Sequence, residues 1–94
     1  MTTLKIAHIR EQGQDMIIAP LDSSFDHKTS SQQQAAIAEI QLAAGGAGLK
    51  GTVVPVWIAS AGKMKFIAPD PWHPFFQGIN MKWVQANLNK TLTW

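Results

Sequence analysis

A chain of 94 residues, 46% hydrophobic and 15% charged, is of single-domain length and too apolar to stay disordered. It contains no cysteine, which excludes disulfides, thiol catalysis, cysteine-zinc sites and iron–sulfur clusters together. The net charge is +2, and the eight Lys and Arg residues are spread from Lys5 to Lys90 without a run, so nucleic acid is not an expected partner.

Leu4 to Arg10 alternates loosely, and Met16 to Ala19 is a continuous apolar run of the kind a strand buried on both faces carries. The polar break with Gly13 between them predicts a β-hairpin. A helix is predicted from Gln32 to Ala44, because Ala and Gln are good helix formers. Ser30 or Ser31 is the expected cap, and Gly45-Gly46 the stop. At helical spacing Ala36, Ile37, Ile40, Ala43 and Ala44 share one face, and Leu42 lies nearly opposite.

Thr52 to Ala59 is rich in β-branched residues and predicts a strand. Pro55 cannot donate to a ladder, so an edge or a bulge is expected there. Ser60 to Lys63 turns the chain and Met64 to Ala68 returns it. Pro69 to Pro74 holds three prolines in six residues, a pattern read as irregular. Asn80 is the expected cap of a second helix, with Met81, Val84 and Leu88 on one stripe and Trp83 pointing away from it. The Thr91–Trp94 tail is left open between a strand and an extension of that stripe.

The order β-β-α-β-β-α predicts an α+β two-layer sandwich, a four-stranded mixed sheet with both helices on one face. The alternative drops the first strand to an arm and reads the rest as a thioredoxin-like β-α-β-β-α core. The missing Cys-x-x-Cys then excludes thioredoxin's redox chemistry. The candidate core is Met16, Ile18, Ile37, Ile40, Val54 and Val84.

Two segments carry candidate sites. Asp22, Ser24, Asp26, His27, Lys28 and Ser30 lie between a buried strand and a helix N-terminus, a place suited to anions. The two carboxylates oppose an anion there, whereas with His27 they suit a divalent metal. As a plain loop, the segment is a set of Asx and Ser turns leading into a cap. The second segment puts Trp72, His73, Phe75 and Phe76 on a proline-stiffened stretch, where rigidity lowers the cost of binding and aromatics supply contact area. Folded over the core instead, these rings would only close it. Parallel pairing of the second and third strands would place the two segments at opposite ends of the sheet. The Trp72–Phe76 stretch would then lie near Gly13 and the Gly45–Gly51 connection.

The three histidines stand on separate segments without metal-ligand spacing, and no nucleophile or dinucleotide motif occurs. No catalytic residue, cofactor or metal site is therefore expected. No apolar run approaches the roughly 20 residues of a membrane span, and Met1 to Lys5 has no signal architecture. A cytoplasmic setting without membrane contact is the expectation. The reading favoured is a non-catalytic interaction or adaptor protein, a homodimer or bound to another protein through Leu42, Trp83 and the aromatic segment. The alternative is a small-ligand-binding domain or enzyme using the Asp22–Ser30 segment.

Overall fold

The computed structural model describes residues 1–59 and 61–94; Ser60, the first residue of the expected turn, lies outside the described residues. Five strands form one mixed sheet: β1 (Thr3–Glu11), β2 (Gln14–Pro20), β3 (Thr52–Ile58), β4 (Met64–Phe66) and β5 (Lys90–Thr93), in the order β4-β3-β2-β1-β5. β2 and β3 are parallel, and all other neighbours are antiparallel. The sheet thus has five strands where four were expected. The fifth is the Thr91–Trp94 tail, whose Leu92 faces Leu4 across the β1 ladder. β1 lies between β2 and β5 and is no arm, which rules out the thioredoxin-like reading.

The helices are α1 (Ser30–Gly46), α2 (His73–Gln77) and α3 (Met81–Ala86). They do not share a face. α1 sets Ile40 and Ala44 against Ile6, Ile17, Ala19, Val53 and Leu92. Phe76 of α2 and Val84 of α3 pack against Ala7, Met16, Ile18, Val54 and Val56. Adjacent strand residues fall in opposite clusters because side chains alternate across a sheet. The unbroken Met16-Ile17-Ile18 run is therefore buried on both sides, and the molecule has three layers instead of two.

Local chemistry explains the boundaries. Thr29, not Ser30 or Ser31, caps α1: its Oγ1 accepts from the Gln32 amide at 3.1 Å, while Gln32 Oε1 accepts from the Thr29 amide at 3.0 Å. This reciprocal pair satisfies two orphan helix donors. Asn80 caps α3, accepting from the Trp83 amide at 2.9 Å. Pro71 and Pro74 fall in the first turns of a 3-10 turn (Asp70–Trp72) and of α2. There the missing N–H has no intrahelical partner to lose, so the stretch read as irregular is helical.

Pro55 is fully buried inside a central strand. Its carbonyl accepts from Ile67 on the β4 side, whereas the next carbonyl, of Val56, accepts from Leu21 on the β2 side. The absent N–H of Pro55 therefore faces β4, and that ladder stops after three residues. Two side-chain amides complete the sheet where backbone partners run out. Gln41 of α1 donates to the Gly51 carbonyl at 3.0 Å and accepts from the Val53 amide at 2.9 Å. Asn89 accepts from the His8 amide at 2.8 Å and donates to its carbonyl at 2.9 Å.

Candidate functional site

The segment after β2 is built as a connector. Asp22 caps a 3-10 turn, Ser23–His27, with its Oδ1 facing the Ser24 amide at 3.5 Å and the Ser23 hydroxyl at 3.3 Å. Ser24, His27, Lys28 and Ser30 are exposed, and Ser30 is the first residue of α1. A groove of about 450 Å³ runs along the carboxyl ends of β2 and β3, between them and α3. From this segment it takes Ser23 alone; its one charged lining residue is Lys5. The other candidate residues of the segment, Asp22, Ser24, Asp26, His27, Lys28 and Ser30, do not line this groove. Among the described residues no three His, Asp or Glu side chains gather into a metal-holding group.

Asp26 has a structural role instead. Its Oδ1 accepts from the Trp57 indole at 3.0 Å and lies 3.3 Å from Lys65 Nζ. Phe25 packs edge-on against Trp57, with ring centroids 4.8 Å apart. The connector is thereby tied to β3 and β4. The Trp57 hydrogen bond first, and the Lys65 hydrogen bond second, hold the Asp26 carboxyl below its ordinary value of 3.8. A carboxyl lowered in the folded state binds protons less readily there than in the unfolded chain. Its contribution to stability is thus complete above about pH 4 and is lost as the pH falls further. Thermal melts of the wild type and of Asp26→Asn from pH 6 to pH 2.5 test this. The wild type is expected to lose more Tm below pH 4 than the variant, and parallel profiles would rule the linkage out.

The Pro71–Phe75 part of the aromatic stretch lies at the opposite end of the sheet, as parallel β2 and β3 require, while Phe76 and Gln77 reach back toward Gly62 and Lys63. It meets the β1–β2 turn across a cleft of about 340 Å³. Pro71, Trp72, Pro74 and Phe75 line it from the helical stretch, and Glu11, Gln12, Gln14 and Met16 from the β1–β2 hairpin. The turn is tight: Glu11 pairs with Gln14, and Gln12 and Gly13 both have positive φ, 50° and 77°. Such a two-residue connection matches the twist of the strands and fixes where the Gln12 side chain stands.

The aromatic residues divide by role. Phe76 is fully buried and anchors α2, with Phe66 at 5.4 Å and Phe75 at 5.2 Å between centroids. His73 is held by structure: its Nε2 donates to the Ala68 carbonyl at 3.0 Å and its ring packs edge-on against Phe66. Trp83 does not point away from the core. It is half-buried, 5.7 Å from Phe75, and braces the cleft wall from behind. Trp72 and Phe75 are half-buried and open to the cleft. Leu42 lies apart on α1, 78% exposed.

The polar lining of the cleft was missed in the sequence because Glu11 to Gln14 read only as a turn. The signal was topological: parallel strands had already placed Gly13 beside the aromatic stretch. The lysines do not converge. Lys5 lies on β1, beside the β5 edge, whereas Lys63 and Lys65 are at the β4 edge. No helix among the described residues is long and apolar enough to cross a membrane. No protein-family model, no curated protein and no solved structure matches this chain.

Proposed function

We propose that this protein is a non-catalytic binding module that docks an extended peptide segment of a partner protein in the cleft between the β1–β2 turn and α2. The observation that carries this reading is the lining: two prolines, Trp72, Phe75 and Met16 share one concave space with Glu11, Gln12 and Gln14. Aromatic walls supply contact area, and proline and helix geometry fix them before the ligand arrives, which lowers the ordering cost of binding. Selection from a displayed library of random hexapeptides, followed by affinity measurement on the full chain, tests it. Selected peptides are expected to lose about tenfold or more in affinity on Trp72→Ala, with Trp72→Leu as the better-packed control. An empty selection, or peptides indifferent to both variants of a folded protein, would end this reading.

Self-association is a second reading, and Leu42 is what favours it. The sheet offers no open face for it, since α2 and α3 cover the side opposite α1. Leu42 with exposed Ala35 and Ala38 on the outward side of α1 is what remains. A symmetric contact there would be a helix-to-helix pairing of two copies. Sedimentation should then show twice 10.3 kDa at micromolar concentration, reverting to the monomer on Leu42→Gln. A monomer throughout removes this reading and leaves the cleft untouched.

A further inference from the structure

Resting on the docking reading above, we infer that the cleft selects a cationic side chain, specifically an arginine, in the peptide it binds. The protein is basic overall, yet Glu11 is the only charged residue among those lining the cleft, and none of the eight Lys and Arg residues reaches it. Glu11 is half-buried. Among the described residues the ion pair is Lys65–Asp26, and His73 lies 3.8 Å from Asp70, so neither contact involves Glu11. Glu39, which lines an apolar recess beside Trp94, is different because its Oε1 accepts from the Trp94 indole at 2.8 Å. Glu11 thus lines the same cleft as Trp72, Phe75 and two prolines, and no Lys or Arg is among the cleft's lining residues.

Those components match the parts of an arginine. The guanidinium is planar, stacks on aromatic faces and offers a fork of donors to a carboxylate. Its three-carbon stem is apolar and lies against proline and methionine side chains at little desolvation cost. A local negative site on a positive protein also discriminates against acidic segments, because a like charge placed beside Glu11 is repelled.

The test uses the isotope-labelled full chain titrated with the capped peptide Ac-Gly-Arg-Gly-NH2 and with its citrulline counterpart, which keeps the shape and loses the charge. The arginine peptide is expected to shift the Trp72 indole and the Gln12 and Gly13 amides saturably. Its affinity should be about tenfold above that of the citrulline peptide. Glu11→Gln should bring the two peptides level, chiefly by lowering the affinity of the arginine peptide about tenfold. Equal binding of both peptides by the wild type, or a preference that survives Glu11→Gln, overturns the arginine inference, and peptides selected from the library without a basic residue would do the same; in either case the docking cleft stands. Absence of any cleft shift with either peptide, together with an empty library selection, overturns both.

Discussion

Phe76→Ala is expected to lower the unfolding free energy by about 3–5 kcal/mol, the range for truncating a buried phenylalanine. The Phe76 ring is 1% exposed and touches both Phe66 of β4 and Phe75 of its own helix. It is the principal wedge between the short α2 and the sheet, in the cluster with Ile18, Val54 and Val56. A helix of five residues cannot hold itself together, so α2 exists only because this ring is buried. Removing it opens a cavity that rigid strands close only in part. In a domain this small, the loss is a large share of a total of roughly 5–15 kcal/mol. Chemical denaturation checks the result: the midpoint should fall sharply while the slope stays constant. Phe76→Leu, which refills much of the space, should cost markedly less. A midpoint unchanged by Phe76→Ala would mean that α2 is not seated on the sheet. Pro74 and Phe75 of the cleft wall belong to the same helix, so under the docking proposal peptide binding should weaken along with stability.

Gly51→Ala is expected to cost about 3 kcal/mol or more, from two separable causes. Gly51 has φ 129°, a backbone region that side chains disfavour by about 1–3 kcal/mol. A Cβ there would also stand 2.6 Å from the Asp15 carbonyl oxygen and 2.8 Å from its carbon. The obstacle is backbone, not a flexible side-chain end, so it can give way only by moving β2 relative to β3; overpacking of that kind costs about 1–3 kcal/mol. The place is sensitive because Thr52 pairs with Met16 directly beyond it, and Gln41 bonds the Gly51 carbonyl. Gly45→Ala is the internal control. Gly45 lies within α1 with open space around it, and alanine there should leave stability equal or up to about 1 kcal/mol higher. Equal melts for Gly51→Ala and Gly45→Ala would show that the parallel strands do not meet as closely as described.

The sequence by itself determined the elements whose signals are local. The Met16–Ala19 run, the β-branched Thr52–Ile58 stretch and the Ala/Gln helix each bury what their pattern said they would. Ile40, Ala44, Met16, Ile18, Val54 and Val84 are all in the interior, with Ile37 partly so. Leu42 is exposed because helical geometry alone sets it opposite Ile40. Parallel pairing of β2 and β3, once assumed, was enough to bring the aromatic stretch beside Gly13.

Tertiary structure decided the rest. A run buried on both sides states that each face is covered, not by what, so the placement of α1 against α2 and α3 on opposite faces was not legible. The Thr91–Trp94 tail carries too few residues to declare itself a strand. It becomes one because β1 offers an open edge and Leu92 finds Ile6 and Ile40 beneath it. Prolines at 71 and 74 read as breakers until their positions in first turns are known. Asp26, Gln41 and Asn89 look like ordinary surface polar residues, and only folding brings each to the donor or acceptor that gives it a role. The cleft is the same case. Glu11 and Trp72 are 61 positions apart, and only the fold brings them to line one concave space.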